Sequence, residues 1–259
     1  MLYQQAQYMF TTEDLEKVYI VIPARLKSTR LPGKPLILLN DVPMVIRVYR
    51  QCLKVVPEDK VCIATDSMEI LDICKLWGAN VVMTSQACLT GTDRVAEIAA
   101  NRGESVFINV QGDEPVFSEH DLTALIQAAL KMPNDVINGY CEIVCQEEYF
   151  SPSIPKVVMS AKNKKLFYMS RAAIPSGKSE KFNPSYRQVC AYAFPRAALM
   201  GFVEHGRKTP LEEFEDMEIL RFLELGYEVK MIEMSNQSIS VDNPEDIKRA
   251  ELAITRLGL

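Results

Sequence analysis

The sequence predicts an α/β fold in which helices cover a mostly parallel sheet that carries an inserted, partly antiparallel lobe. Apolar, strand-like runs alternate with helical patterns through the first half of the chain, as in proteins with parallel sheets. From about residue 135 the strand-like runs follow one another without long helices, which indicates a change of topology. With 259 residues, of which 48% are hydrophobic, the chain can bury a sizeable core.

Continuous apolar runs predict the strands of the first half. Residues 18–22 (VYIVI) are apolar throughout, which is typical of a strand buried on both faces. The preceding residues 1–17 are predicted to form a polar tail or a short helix. Further strands are predicted at residues 61–65, 80–84 and 105–110, with helices between them at residues 43–55, 68–77 and 93–100.

The inserted lobe is predicted at about residues 135–195. Its strands are expected at residues 135–144, 155–160 and 187–194, separated by turns around Pro152 and Pro175. The C-terminal third returns to α/β order, with a helix at residues 210–225, a strand at 228–233 and a last helix at 244–256. We therefore expect an N-terminal tail at residues 1–17 and a single domain at residues 18–259 that contains the lobe.

Composition excludes several classes of protein. A pI near 5.3 and a formal net charge of −5 provide no general positive field for a nucleic-acid backbone, so a phosphorylated partner must be held by a local basic cluster. Because apolar runs stay well short of the roughly 20 residues of a membrane span, we expect no membrane partner and a cytoplasmic location. The 7 cysteines are odd in number and form no C-x-x-C pair, which favours reduced core thiols.

The richest polar segment, residues 23–35, directly follows the first predicted strand. Ligands of open α/β sheets bind beyond the carboxyl ends of the strands, so its cations, which include Arg25, Arg30 and Lys34, are placed to meet a polyanion such as a triphosphate. The small Ser28 and Gly33 let the backbone approach phosphate oxygens closely. The alternative is a solvated basic turn.

A second segment, residues 109–115 (NVQGDEP), follows another apolar strand and indicates a divalent cation. Mg²⁺ is typically held by one or two carboxylates together with substrate phosphates, and Asp113 and Asp242 are the candidate pair. Asp242 lies just before the last predicted helix, so it is also a good N-cap or turn residue. The alternative for Asp113 is a turn aspartate before a proline.

The loop before the helix at residues 93–100 completes the strand ends. Thr92 or Asp93 is a candidate cap of that helix. Arg94 falls in its first turn, where the helix dipole disfavours a cation, so we expect Arg94 to have another partner. The two histidines, His120 and His205, stand in polar helical contexts that indicate surface positions.

Taken together, these segments resemble the CMP-Kdo synthetases, which activate 3-deoxy-manno-octulosonate (Kdo) with CTP, and the resemblance spans residues 18 to about 256. It implies a three-layer, doubly wound nucleotide-binding domain, a smaller lobe that builds a homodimer, a requirement for Mg²⁺ and a product for lipopolysaccharide or surface-polysaccharide synthesis. The matching segments are residues 22–25 (IPAR), 28–36 (STRLPGKPL), 64–66 (ATD), 91–94 (GTDR), 110–115 (VQGDEP) and 241–246 (VDNPED).

The resemblance also implies roles for individual residues. The catalytic residues would be Arg25, Lys34, Asp113 and Asp242. The nucleotide would be bound by Ala24, Arg25, Ser28, Arg30, Lys34, Thr90, Gly91, Arg94 and Asp113. The metal would be held by Asp113 and Asp242. The sugar acid would be contacted by Gln111, Arg171, Gln188, Tyr192 and Glu218, where Arg171 belongs to the family-like segment 166–175 (LFYMSRAAIP).

Two positions depart from the family and leave the acceptor open. Gln188 stands where the family commonly has His, and Ile219 follows Glu218 where the family has Gln. Ile219 offers no hydrogen bond, which would favour a modified Kdo of the 8-amino type or a sialic-type acid, unless Ile219 packs into the core instead. A transferase that uses UTP or GTP and a catalytically silent nucleotide-binding protein are the remaining alternatives.

Overall fold

The computed structural model describes residues 10–26, 31–178 and 181–259. The first helix, α1 (Thr12–Lys17), begins at a capping box in which Thr11 and Asp14 exchange side-chain and backbone hydrogen bonds. Strand β1 (Val18–Ala24) follows at once, and all of its residues are buried, as the apolar run predicts. The expected tail therefore contains a short helix against the first strand.

The first half of the chain alternates strands and helices as predicted. The predicted strands and helices are all present, with bounds that differ by a few residues. Helix α5 and the two-residue strands β2 and β3 have no counterpart in the prediction. After β1 the elements are β2 (Leu38–Leu39), β3 (Val42–Pro43), α2 (Met44–Leu53), β4 (Val61–Thr65), α3 (Met68–Leu76), β5 (Val81–Met83), α4 (Gly91–Ala100), β6 (Val106–Val110) and α5 (Glu119–Lys131).

The second half departs from the prediction at its long helix. The single helix expected at residues 210–225 is wrong, because Asp216 takes a left-handed conformation with φ of 51° and separates α8 from α9. The elements are β7 (Val136–Glu142), α6 (Gln146–Phe150), β8 (Lys156–Met159), β9 (Leu166–Ser170), β10 (Tyr186–Pro195), α7 (Arg196–Glu204), α8 (Pro210–Glu215), α9 (Ile219–Glu224), β11 (Val229–Glu233) and α10 (Pro244–Leu257).

Within the described residues, nine strands form one sheet, with the order β11-β7-β10-β6-β1-β4-β5, with β8 paired to β10 and with β9 paired to β8. The pairs of β1 with β4 and β6, of β4 with β5 and of β7 with β11 are parallel. Strand β10 is antiparallel to both of its neighbours, β6 and β7. The segment predicted as a lobe thus contributes β7 and β10 to the main sheet, and β8 and β9 extend it as a hairpin.

Two apolar layers cover the faces of the sheet, and β1 shows how the sequence serves both. Val18, Ile20 and Ile22 face one layer, which includes residues of α2, α3 and α5. Tyr19 and Val21 face the other, which includes residues of α4, α7 and α9. Because successive strand residues point to opposite faces, a strand buried on both sides must be apolar throughout. The predicted mostly parallel α/β fold is confirmed.

Most of the cysteine side chains are buried, as the sequence predicts. The cysteines of the described chain are free, and Cys52, Cys62, Cys74 and Cys141 are buried. Burial raises the pKa of the Cys62 and Cys141 thiols to about 11, so these groups stay protonated at neutral pH.

Among the helices that the structure describes, none combines the length and the apolar character that crossing a membrane requires.

Candidate active site

A cavity of about 900 Å³ opens at the carboxyl ends of β1 and β6, where the sequence predicts the site. Most of the predicted residues line this cavity, whereas Gln188 and Tyr192 do not. Ser28 and Arg30 lie outside the described residues. The predicted residues on the cavity wall are Ala24, Arg25, Lys34, Thr90, Gly91, Arg94, Gln111, Asp113, Arg171, Glu218 and Asp242.

On the wall of the cavity, Lys34 stands between the two candidate metal ligands. Its Nζ donates to Asp113 Oδ2 at 2.5 Å and to Asp242 Oδ1 at 3.0 Å. Gly33, with φ of 67°, permits the turn that begins the short 3₁₀ helix at Lys34. The backbone N–H of Val241 donates to the Asp113 carbonyl at 3.0 Å and so joins the two acidic segments. Residues distant in sequence thereby converge on one point.

The electrostatics of this group suit a cation. Burial lowers the pKa of Lys34, but the charges of Asp113 and Asp242 outweigh it, and the pKa is raised above its ordinary value. Two carboxylates directed at one position are the oxygen donors that Mg²⁺ prefers when substrate phosphates complete its shell. Among the described residues no cluster of three or more acidic, histidine or cysteine side chains forms a metal site by itself. The donor set therefore fits a metal that arrives with phosphate.

Asp242 is not the N-cap of α10. That position belongs to Asn243, whose side chain and backbone exchange hydrogen bonds with Asp246 in a capping box. Asp246 also accepts from the backbone N–H of Asp242 at 3.1 Å. The cap interpretation of Asp242 is therefore wrong, and its carboxylate is directed at Lys34 instead.

The start of α4 forms another part of the wall. Thr90 is the N-cap and Asp93 completes its capping box, so Asp93 is a capping residue, as one alternative predicted, and Thr92 is not. Both carboxylate oxygens of Glu218 accept from the helix, at 3.0 Å from the Gly91 N–H and 2.7 Å from the Thr92 N–H. Gly91 lies close to Glu218, since a Cβ there would come within 3.5 Å of Oε1.

Glu218 was predicted to contact the sugar, and in the structure its carboxylate is bound by the start of α4. Burial raises the pKa of Glu218, and the hydrogen bonds from Thr92 and Gly91 oppose this shift. A carboxylate at a helix N-terminus also interacts favourably with the helix dipole. Glu218 therefore fastens the segment before α9 to the loop that is expected to border the nucleotide, and its role as a sugar contact stays a prediction.

Arg94 has the partners that its unfavourable position in the first turn of α4 implies. Its guanidinium lies 3.2 Å from Asp66 Oδ2, and NH1 donates to Thr84 Oγ1 at 2.5 Å. The residue is only 3% exposed. Asp66 comes directly after β4, so this ion pair joins two strand-end loops beside the cavity.

Arg171 also lines the cavity and comes just after β9. Its Nε donates to the Glu215 carbonyl at 2.6 Å, NH1 to the Pro152 carbonyl at 3.1 Å and NH2 to the Asp216 carbonyl at 3.2 Å. The left-handed turn at Asp216, which ends α8, supplies two of these acceptors. Asp216 itself lines the cavity without having been predicted, because the sequence pattern placed it inside a helix.

The remaining predicted sugar residues belong to the buried sheet. Gln188 Nε2 donates to Asn138 Oδ1 at 2.9 Å and to the Tyr192 hydroxyl at 3.0 Å. Asn138 in turn donates to two carbonyls at the bulge of β10. A sugar contact by Gln188 or Tyr192 stays a prediction. Ile219, only 1% exposed, packs in the second core layer, so the interpretation that it faces a sugar hydroxyl is wrong.

Glu114, next to Asp113, is a buried acid that the sequence did not single out. Burial and the charge of Asp113 raise the pKa of Glu114 to about 8, and Ser238 donates a hydrogen bond to its carboxyl group. At neutral pH this side chain is therefore mostly protonated, and only 3% of the residue is exposed.

We expect Glu114→Gln to flatten the dependence of stability on pH. The folded carboxyl holds its proton up to about pH 8, whereas the unfolded one loses it near 4.5, so the folded state binds more protons between these values. This contribution to stability is complete below pH 4.5 and is lost as the pH rises towards 8. In urea unfolding, the free energy of unfolding of the variant relative to that of the wild type should be higher at pH 8 than at pH 5. An equal difference at both pH values would contradict the raised pKa.

The comparisons with known proteins agree with this geometry. The family model described as cytidylyltransferase matches residues 19–235. Two relatives named 3-deoxy-manno-octulosonate cytidylyltransferase are 38% identical, one from Acinetobacter baumannii (strain SDF) over 89% of this chain and 95% of its own length, the other from Acaryochloris marina over 92% and 97%. A solved CMP:2-keto-3-deoxy-manno-octonic acid synthetase in complex with CTP superposes with a TM-score of 0.84 at 30% identity, covering 93% of this chain and 99% of its own. The chain belongs to the cytidylyltransferase family.

Proposed function

We propose that this protein transfers CMP from CTP to Kdo and releases pyrophosphate. The observation that carries the proposal is the placement of Lys34, Asp113 and Asp242 at the same sheet edge as the start of α4, within one cavity. Relatives that cover nearly the whole chain are named for this reaction, and the similar solved structure contains CTP.

The basic side chains would neutralise the charge that the triphosphate brings and that the leaving pyrophosphate retains. Arg25 and Lys34 line the cavity at the end of β1, where fixed cations can stabilise the departing group without reorganisation. Arg94 and the Thr90–Gly91 backbone would border the nucleotide on the other side. The acceptor hydroxyl is the nucleophile in this reaction, so positioning the two substrates supplies much of the rate.

Asp113 and Asp242 would hold Mg²⁺. When bound, the metal would lower the pKa of the acceptor hydroxyl and neutralise phosphate charge. Lys34 would remain beside both carboxylates, since it already bonds to each of them. Its ammonium would then maintain their orientation and contribute a second positive charge near the phosphates.

The acceptor would lie towards Arg171, whose guanidinium suits a carboxylate. Gln111 and Glu218 line the same cavity, and Glu218 bonds to the loop expected to border the nucleotide. Because Ile219 is buried in the core, it no longer supports an altered acceptor. Plain Kdo is therefore the proposed substrate.

We further propose a cytoplasmic homodimer whose product serves lipopolysaccharide or surface-polysaccharide synthesis. A dimer is supported by two large apolar side chains in neighbouring elements, Phe167 on β9 in the predicted lobe at 61% exposure and Phe214 on α8 beside it at 89%. The two elements contact each other through the hydrogen bond from Tyr168 to Glu215. Burying both phenylalanines against a second copy would remove them from water.

The activity test is pyrophosphate release. With Mg²⁺ and CTP, purified protein should release pyrophosphate only when Kdo is added, and chelation of the metal should abolish release. UTP in place of CTP is the control for base choice, and 8-amino-Kdo and a sialic acid are the controls for the acceptor. Equal release with UTP, or none with any of these acids, would contradict the proposal.

A further inference from the structure

Lys156 is a buried lysine whose ammonium group is surrounded by backbone carbonyls. The residue is 0% exposed, on the first position of β8. Its Nζ donates to the carbonyls of Ser151, Ile154 and Arg171, each at 2.7 Å. These three bonds use all the donors that an ammonium group has.

The carbonyls belong to two segments that meet beside Arg171, which lines the cavity. Ser151 and Ile154 bracket the turn before β8, and the third carbonyl is that of Arg171 itself. Within the same turn the carbonyl of Pro152 accepts from NH1 of Arg171. Lys156 thus fastens the turn to the backbone of Arg171, while the turn contacts its guanidinium.

A lysine is a costly way to join these segments if stability alone were at issue. Burial and the neighbouring Arg171 lower the pKa of Lys156 to about 8, so desolvation of the charge opposes folding. An apolar residue at this position would avoid that cost but would leave the three carbonyls without their shared donor. The specific benefit of this ammonium is that it holds three carbonyls in a set geometry.

We propose that Lys156 is a positioning residue that directs the guanidinium of Arg171 at the carboxylate of the acceptor. Lys156 does not line the cavity, so it acts on the acceptor through Arg171. The other acceptors of the guanidinium, the carbonyls of Glu215 and Asp216, come from a separate segment. Loss of Lys156 would therefore release the turn that bonds to NH1 of Arg171 and leave the bonds of Nε and NH2 in place. This inference rests on the proposed function, because it assigns the carboxylate of the acceptor to Arg171.

The test is steady-state kinetics of Lys156→Met, with Lys165→Met as a matched control. Lys165 is a surface lysine paired with Glu228. We expect Lys156→Met to raise the KM for the keto-sugar acid about tenfold or more, since small displacements of a positioning group have effects of this size. The KM for CTP should change less than twofold, and the control variant should match the wild type in both.

A double-mutant cycle with Arg171→Ala tests whether the effect passes through Arg171. In that background Lys156→Met should leave the KM for the acid unchanged. Lys156→Gln, which retains two donors, should fall between wild type and Lys156→Met. Equal increases in both KM values, additive effects in the cycle, or loss of the folded state in both Lys156 variants by circular dichroism would overturn the proposal. Wild-type turnover is measured first, so an inactive wild type would refute the proposed function separately.

Discussion

We expect Asp113→Asn and Asp242→Asn each to lower turnover by at least about a hundredfold, because each removes a negative charge from the pair of carboxylates proposed to hold Mg²⁺. One lost electrostatic stabiliser typically raises the activation free energy by roughly 3 kcal/mol. Both substitutions keep the shape of the side chain and leave an oxygen that Lys34 can contact. Single-turnover rates and the Mg²⁺ concentration at half-maximal rate measure the effect, and that concentration should rise in both variants.

Two control variants distinguish a role of the aspartates in holding the metal from a role in the ion pairs with Lys34. Asp72→Asn, at an exposed position on α3, changes charge by the same amount away from the cavity and should leave the rate unaltered. Lys34→Met removes the ammonium that both aspartates bind and should slow the reaction without shifting the Mg²⁺ requirement as strongly. If the aspartate variants lost rate with an unchanged Mg²⁺ dependence, their role would be to orient Lys34 and not to hold the metal.

Arg221→Met should cost the fold about 3–5 kcal/mol in the free energy of unfolding, the usual loss when one partner of a buried ion pair is removed. Arg221 is 1% exposed and donates to both carboxylate oxygens of Glu212, at 2.5 and 2.6 Å, and to Asp93 at 3.2 Å. Its guanidinium also lies 3.6 Å from the ring centre of Phe202. Without it, Glu212 at 0% exposure would lose its ion-pair partner and keep the weaker hydrogen bond from the Thr209 N–H at 3.2 Å.

Urea unfolding monitored by circular dichroism measures this loss. The double variant Arg221→Met, Glu212→Leu should recover much of the stability, because neither charge then remains buried. Arg249→Met, which removes a surface arginine from the pair with Asp246, is the matched control and should change stability by less than about 1 kcal/mol. A small loss in Arg221→Met, or no recovery in the double variant, would show that the pair does not link α8, α9 and α4 as the geometry indicates.

The strand-end residues could be predicted because topology alone brings them together. Lys34 and Asp113 follow buried parallel strands, whose carboxyl ends meet at one edge whatever the details of packing. That Arg94 has a partner could also be expected, since the helix dipole disfavours a cation in the first turn of a helix, and the partner is Asp66. Simple rules of chain direction and helix dipole therefore locate most of the cavity wall.

Other residues depend on tertiary contacts that leave no local pattern. Lys156 and Arg221 resemble surface cations in sequence, yet each is buried by partners distant along the chain. The break at Asp216 follows a run that otherwise has helical periodicity, and the carbonyls it frees are bonded to Arg171. For Ile219, the helical periodicity correctly predicted packing into the core, whereas the comparison with the family had suggested a position facing the sugar.

The position of β10 has a consequence for the order in which the chain can fold. Strands β1, β4, β5 and β6 can pair as the first half of the chain leaves the ribosome, but β6 then presents an open edge until residues 186–195 arrive. Strand β7 is made before β10 and waits for the same partner. Pairing over such distances is slow, and an open edge is a template for association with other chains. Nascent chains that stop short of β10 should therefore aggregate, whereas chains that reach the end of β10 close the centre of the sheet in one step.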